Sequence, residues 1–415
     1  MEYTMNRRKF VGSMAAGAAV FMASPTARAL GANDRIRIGL IGAGDRGQQD
    51  LKDALRQPDV ECVAVADLYS RRRDQAKEKI PGVAVYDDHR RLLERKDIDA
   101  VIIATSLNQH ASCMLAALEA GKDVYCEKTM TYDIAEAVAC RKAAQESKQI
   151  VQIGLQHQSD GELADARKWI QDGLLGKVAM VESWMSRNTS HGHGQWVRPI
   201  PSDCNLEHVN WNLFLDGRPK STFDPNRFIN WRLFWEFSGG NVTENMVHQI
   251  AWIMTALDLK EPLAATMSGG VFSEKDGREV PDTIAVTLEY PEMVVLWQST
   301  FSNSRFGLGE RILGSDGTIE HVSGATDMVT GKYSSGITYY PEKLNRPTDE
   351  ALTGRSAGTN HMANWMECIR TRNKQVNAPV DIGYKSAIAA HMANLAYRLK
   401  CRVTLDEAMV AKPLY

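Results

Sequence analysis

Four things are scarce in this chain, and each scarcity excludes something. A surplus of one charge is missing: 49 Lys+Arg face 51 Asp+Glu, for a net −2. No basic stripe stands out, which excludes nucleic acid as the expected partner; Arg71-Arg72-Arg73 is the one local cluster. Cysteine is sparse, odd in number at seven, and never spaced C-x-x-C. Neither a disulfide framework nor a thiolate zinc site is expected from Cys62, Cys113, Cys126, Cys140, Cys204, Cys368 and Cys401. Cys62 and Cys126 fall within apolar strand-like runs and read as small buried hydrophobes. Long apolar runs are also missing. The stretch from Val11 to Ala23 is too short to span a bilayer, and nothing later approaches that length. Finally, no G-x-S-x-G or triad-like arrangement, no repeat and no low-complexity tract occurs.

What is present begins with an N-terminal address. Asn6-Arg7-Arg8-Lys9-Phe10-Val11 supplies paired arginines, the apolar run follows, and Ala27-Arg28-Ala29 gives a small-x-small cleavage pattern. Residues 1–29 are therefore expected to be a twin-arginine signal peptide, placing the mature protein in the periplasm or otherwise outside the cytoplasm. The 415 residues exceed what one core usually holds, so two domains are expected behind it.

The most specific signal is Gly42-Ala43-Gly44-Asp45-Arg46-Gly47. It follows a short apolar strand, Arg37–Ile41, and opens a helix. About twenty residues on, the apolar run Val63–Ala66 ends in Asp67. A G-x-G-x-x-G between strand and helix, with an acid closing the next strand, marks a dinucleotide site. Gly42 allows the tight turn, Gly44 lets the backbone approach a pyrophosphate, and Gly47 lets the helix lie close to the sheet. The pyrophosphate then meets the free N–H groups and the positive dipole end of the helix. Asp67 can accept from the ribose hydroxyls. Its charge favours NAD, because a carboxylate repels a 2′-phosphate, and Arg71–Arg73 keep NADP as the alternative. A glycine-rich surface turn is the bland reading.

From residue 35 to 155 strand-like and helical runs alternate: Arg37–Ile41, Glu61–Ala66, Val83–Val85, Ala100–Ala104, Asp123–Cys126 and Ile150–Ile153, with helices such as Ser70–Lys79 and Ile134–Ser147 between. That pattern predicts a doubly wound parallel sheet, the Rossmann arrangement. From 156 to 355 it changes to strand candidates Val178–Met185, Ala264–Phe272, Thr283–Tyr290, Met293–Phe301, Glu310–Leu313 and Thr318–His321, the last two joined by the hairpin signal Ser315-Asp316-Gly317. This reads as an α+β substrate and oligomerisation domain with a large, open-faced, mostly antiparallel sheet. Residues 356–415 read as helices returning onto both domains.

These residues resemble the glucose–fructose oxidoreductase / inositol dehydrogenase / MocA (Gfo/Idh/MocA) family over nearly the whole mature chain. Beyond the glycine fingerprint, Ala104-Thr105-Ser106 with His110 is similar to the family's A-T-P-x-x-x-H turn. Gly121-Lys122-Asp123-Val124-Tyr125-Cys126-Glu127-Lys128 is similar to its G-K-x-V-x-x-E-K-P segment. Asn230-Trp231-Arg232, Phe234-Trp235 and Gly239-Gly240 resemble the segment before its D-x-x-x-H helix, here Glu244 and His248. Three departures stand out: Thr129 replaces a proline often preceded by a cis peptide, a bond costly before threonine; Glu244 replaces aspartate; Ser106 replaces proline.

The resemblance implies hydride transfer between a sugar, polyol or sugar-acid hydroxyl and NAD, with His248 as base, Lys128 as its electrostatic partner, and Glu244 orienting the imidazole or binding a hydroxyl; because free NAD is scarce outside the cytoplasm, an exported protein is expected to keep it tightly bound. Residues at i and i+4 share a helix face, and a carboxylate beside an imidazole raises its basicity; spacing alone leaves a plain helix pair open. A surface ion pair is the alternative for Glu127 and Lys128. Gly42, Gly44, Asp45, Arg46, Gly47, Asp67, Thr105, His110, Glu127 and Lys128 are the expected cofactor contacts, with helix capping as the alternative for His110. Gln156, His157, Trp231 and Arg232 are the expected substrate contacts. No metal is expected: His191-Gly-His193 has ligand spacing but no evident third ligand. A homo-oligomer, dimer or tetramer, is expected. Two rival functions remain: a glycoside hydrolase or lyase that oxidises its sugar transiently and eliminates the aglycone, and a non-catalytic sugar or dinucleotide sensor.

Overall fold

The computed structural model describes residues 35–188, 194–326, 333–343 and 350–412. The expected signal segment and the His191/His193 pair lie outside these residues.

Six strands form the first sheet: β1 (Ile36–Ile41), β2 (Val60–Ala66), β3 (Ala84–Tyr86), β4 (Ala100–Ile103), β5 (Asp123–Glu127) and β6 (Val151–Gly154). They are parallel throughout, in the order β3-β2-β1-β4-β5-β6. Short, almost wholly buried runs such as Ala100–Ile103 suit strands covered by helices on both faces. The strand order reverses between β1 and β4, which opens a crevice at their carboxyl ends. Gly42 leaves β1 there, and Ala104 and Thr105 leave β4.

Nine strands form the second sheet. They are β7 (Val178–Ser186), β8 (Ala264–Gly270), β9 (Thr283–Tyr290), β10 (Met293–Thr300), β11 (Leu308–Gly314), β12 (Gly317–Thr326), β13 (Tyr333–Pro341), β14 (Leu352–Thr353) and β15 (Val403–Thr404). The order is β14-β13-β12-β11-β7-β10-β9-β8-β15, with β7 and β10 parallel and every other pair antiparallel. Alternation fixes the faces: Val181, Ser183 and Met185 point into the core while their neighbours are partly exposed. Ser315-Asp316 turns β11 into β12, where the D-G signal fell.

The tail differs from a purely helical ending. The helix His361–Thr371 returns to the first sheet, burying Met362, Trp365, Met366 and Ile369 with Ile38, Leu40 and Leu51. The helix Val380–Leu399 packs on β8 and on the helix Val247–Ala256. Residues 403–404 then add β15 to the edge of the second sheet. Among the described residues, no helix is long and apolar enough to cross a membrane. Six cysteines are buried, Cys401 is exposed, and all seven are free.

Candidate active site

The glycine turn shows why each glycine is there. Gly42 has φ +91°, and a Cβ on it would lie 2.7 Å from the Ala104 carbonyl. A Cβ on Gly47 would lie 2.0 Å from the Gly42 carbonyl oxygen. Packing thus demands both. A Cβ on Gly44 would meet nothing nearer than the Arg72 guanidinium at 3.8 Å, so no protein neighbour requires glycine there. Close approach of a ligand explains it. The helix Asp45–Ala54 starts at Gly44 with no side-chain cap, leaving its first N–H groups for an anion.

Asp67 directly follows β2 beside this turn. Its carboxylate accepts from the Ala43 N–H at 2.7 Å and the Tyr69 N–H at 2.9 Å, and Arg72 stands 3.6 Å away. The acid therefore shapes the turn as well as facing the cleft. That cleft, about 270 Å3, is lined by Gly42, Gly44, Asp67, Thr105 and Arg72. Arg198, Pro199 and Pro201 wall its other side. The loop carrying them is tied down where Tyr69 and Arg71 donate to Asp203, and where Ser70 and His208 hydrogen-bond. Asp45 is ion-paired with Arg198 across the cleft. Changing Asp67 to alanine strands two backbone donors, so thermal denaturation should show a loss of about 1–3 kcal/mol and titration with NAD about tenfold weaker binding.

Behind the turn, Arg46 bridges Glu127 at 3.0 Å and Asp50 at 2.6 Å. Burial and the nearby Glu127 push the Asp50 carboxyl well above the usual range. Gln156 donates to Glu127 at 2.8 Å and to the Tyr125 hydroxyl at 2.9 Å. Arg46, Glu127 and Gln156 form one network around the buried Glu127 carboxylate while also lining a hollow of about 120 Å3 with Thr105, His110, Lys128 and His248. His110 bonds the Thr129 carbonyl through Nδ1 at 2.7 Å, and burial lowers its pKa, so the ring is neutral.

Lys128 crosses from the first domain to the second. Its Nζ donates to the Glu244 carbonyl at 2.8 Å and stands 3.3 Å from the Glu244 carboxylate. The Lys128–Thr129 peptide is cis. Thr129 is fully buried, and its hydroxyl donates to the Thr243 carbonyl at 2.6 Å, a bond no proline could make. Both acceptors belong to a π-helical turn, Val242–Met246, that precedes the helix Val247–Ala256. Such a turn inserts a residue and alters the helical phase, a distortion frequent at functional sites.

The phase change bears on Glu244 and His248. The expected carboxylate–imidazole contact is replaced by others: Glu244 accepts from Arg232 Nε at 2.8 Å and pairs with Lys128. Burial opposes its ionisation, but Lys128 and Arg232 outweigh that and hold its pKa at about 2. Glu244 is thus a fixed anion orienting two cations. His248 has its Nδ1 buried without a partner among the described residues, and burial, then Lys128, then other cations push its pKa well below 6.5. Its ring meets that of His157 edge-to-face, with centroids 5.4 Å apart. His157 hydrogen-bonds Asp160 at 2.6 Å, which outweighs burial and raises its pKa.

Lys128, His157, Arg232, Glu244 and His248 line a second cavity of about 380 Å3. Trp231 lies on the cofactor side instead, under the Arg232 guanidinium, whose carbon is 4.3 Å from the ring centroid. The cavity adds residues that sequence reasoning missed. Arg187 comes from the end of β7 and Trp252 from the helix. Glu310 and His321 are directly paired across β11 and β12 and 2.8 Å apart. Their signal was there: alternation puts Glu310 in phase with Ile312 and His321 in phase with Ile319, charged side chains on a core-facing row. Gln249 holds Glu310 at 3.0 Å. Among the described residues, no group of three or more His, Cys, Asp or Glu could hold a metal ion.

Comparisons with known proteins agree with this layout. Residues 36–155 match the family model "Oxidoreductase family, NAD-binding Rossmann fold", and residues 217–398 match "Oxidoreductase family, C-terminal alpha/beta domain". Inositol 2-dehydrogenase 4 of Saccharopolyspora erythraea is 32% identical over 151 residues, covering 36% of this chain and 45% of that protein, so less than half of the relative's length is spanned. A glycosyl hydrolase family 109 protein of Stenotrophomonas maltophilia is 28% identical over 356 residues, covering 76% of this chain and 74% of that protein. An NAD-binding protein from Listeria innocua shares the fold with a TM-score of 0.66 at 18% identity, covering 91% of this chain and 99% of that one.

Proposed function

Because the chain belongs to the Gfo/Idh/MocA oxidoreductase family and its first domain is that family's NAD-binding Rossmann fold, we propose that it transfers hydride between NAD and a secondary hydroxyl of a sugar or polyol. One observation carries the reading: Lys128 from the first domain and His248 from the second line the same cavity, next to the glycine turn. Gly42, Gly44 and Asp67 would hold the dinucleotide, with Gly47 keeping the helix against the turn and Thr105 and His110 near the nicotinamide end. When bound, the nicotinamide supplies a hydride acceptor at the sheet's carboxyl edge. The chain's own work is the proton and the oxygen. His248, neutral because burial disfavours its charge, accepts the hydroxyl proton. Lys128, fixed by Glu244, stabilises negative charge developing on the oxygen as the C=O bond forms. Absorbance of the nicotinamide on mixing purified protein with sugars tests this; a signal from no sugar would refute it.

The pH dependence follows from the signs. A base must be unprotonated, so activity falls as pH drops through the pKa of His248. That pKa lies below 6.5, and Glu244 at about 2 stays charged throughout. The kcat/KM profile of the free enzyme should therefore keep its plateau to below pH 6.5, and His248→Ala should remove the acid limb.

A second reading is favoured by the long match to the glycosyl hydrolase family 109 protein: transient oxidation, elimination of the aglycone, water addition and return of the hydride. Release of p-nitrophenol from nitrophenyl glycosides without net NADH would favour it. We also infer export by the twin-arginine route, supported by Arg7-Arg8 and the apolar run, and checkable by cell fractionation of an Arg7→Lys, Arg8→Lys variant. Homo-oligomer formation is supported by half-buried Trp184, Val294 and Leu296 on the outer face of the second sheet, and light scattering would detect it.

A further inference from the structure

Arg187 sits directly after β7, where its backbone N–H donates to the Thr300 carbonyl at 3.0 Å. Its side chain lines the 380 Å3 cavity. Every other arginine around the site has a carboxylate: Arg46 has Glu127 and Asp50, Arg72 has Asp67, Arg198 has Asp45, Arg232 has Glu244. The Arg187 guanidinium has no hydrogen bond or ion pair among the described residues. Burial alone lowers its pKa, with no anion to oppose it. An uncompensated, largely desolvated cation is costly, and such a group is retained where a ligand completes it.

The charge balance of the cavity agrees. Lys128, Arg187, Arg198 and Arg232 are its cations; Glu244 and Glu310 are its carboxylates, and Asp45 neutralises Arg198 from outside. Glu310 is already engaged by His321, whose pKa its hydrogen bond raises against the effect of burial. Even counting Glu310 as a full negative charge, one positive charge is left over. A monoanion balances it. The planar guanidinium offers two parallel N–H donors, which match a carboxylate. Trp252 also lines this cavity, and its indole N–H is buried with no acceptor among the described residues.

We propose that the substrate is a sugar acid, a uronate or aldonate, whose carboxylate binds Arg187 while a ring or chain hydroxyl faces Lys128 and His248. The proposal rests on the oxidoreductase reading of this cavity and goes further in naming the chemical class.

Calorimetric binding to the purified protein tests it, with glucuronate, galacturonate and gluconate as probes and the corresponding neutral amides as controls. At least one acid should bind about 10–100-fold more tightly than its amide, the range expected of a charge-assisted pair in a partly desolvated site. Arg187→Gln should erase that preference, weakening the acid far more than the amide, and Arg187→Lys should restore part of it. The wild-type acid–amide comparison stands even where a variant fails to fold. Equal binding of acid and amide, a preference that survives Arg187→Gln, tighter binding of glucose 6-phosphate than of any carboxylate, or binding of none of the probes would each overturn the proposal. Turnover of neutral sugars with no preference for acids would overturn it while leaving the oxidoreductase reading intact. A silent nicotinamide with every sugar, alongside tight Arg187-dependent binding, would uphold the acid class and remove the redox reading.

Discussion

Replacing Lys128 by alanine should lower kcat/KM by about a thousandfold while bound NAD stays in place. The ammonium is the one cation that reaches the cavity from the end of β5, and it is fixed twice by Glu244, through the carbonyl at 2.8 Å and the carboxylate at 3.3 Å. Removing a preorganised charge at a developing oxyanion costs about 10²–10³ in rate, and losing proton-transfer support adds to that. The groups that would hold the diphosphate and the adenosine ribose, the glycine turn and Asp67, line a different cleft from Lys128, so the stoichiometry of nucleotide released on denaturation should match wild type. Glu244 loses one of two partners but keeps Arg232 at 2.8 Å, which limits the structural damage. Lys128→Arg should recover little, because a branched guanidinium cannot make both short contacts from the same place. A variant with wild-type turnover would assign Lys128 to architecture.

Gly47→Ala should abolish cofactor binding, and it should do so from the far side of the turn. The added methyl would lie 2.0 Å from the Gly42 carbonyl oxygen and 3.2 Å from Leu40. Backbone cannot give way as a flexible side chain can, so either the helix Asp45–Ala54 lifts off the sheet or the turn opens. Both outcomes misplace the N–H groups that would meet the diphosphate. Overpacking of this kind costs about 1–3 kcal/mol or more, visible as a lower denaturation midpoint with NAD retention lost. Gly44→Ala is the informative contrast. Its Cβ has room in the protein, so stability should hold while NAD affinity falls, separating a glycine kept for the fold from one kept for the ligand.

Much of the fold was legible because it rests on local pattern. Strand–helix alternation from Ile36 to Gly154 and the glycine spacing place β1, the turn and β2 to within a residue. Thr283–Tyr290 and the Ser315-Asp316-Gly317 turn are equally local. What escaped was held by partners instead. Leu352–Thr353 and Val403–Thr404 are two-residue edge strands whose only cue is the neighbouring backbone. Tyr333–Pro341 carries small polar residues among its tyrosines and no hairpin signal.

The site divides in the same way. Lys128 stood out because an ammonium follows an apolar strand, and the resemblance to the family's E-K segment favoured a functional pair with Glu127 over a surface one. The Glu244–His248 pairing was inferred from ideal helical phase, and a π turn is invisible to that rule. Thr129 reads in sequence as a departure from proline; its hydroxyl on the Thr243 carbonyl emerges only when the two domains meet. Arg187 has no sequence signal at all, since what distinguishes it is the lack of a partner among the described residues.

The most direct test is stopped-flow absorbance of the nicotinamide in purified protein mixed with a panel of neutral and acidic sugars, run in parallel on wild type, Lys128→Ala and His248→Ala, with bound nucleotide quantified in each. Wild type should give a rapid signal with at least one sugar, and both variants should keep full nucleotide occupancy with the signal slowed at least a hundredfold. An unchanged signal in either variant, or none from wild type across the panel, would contradict the proposed mechanism.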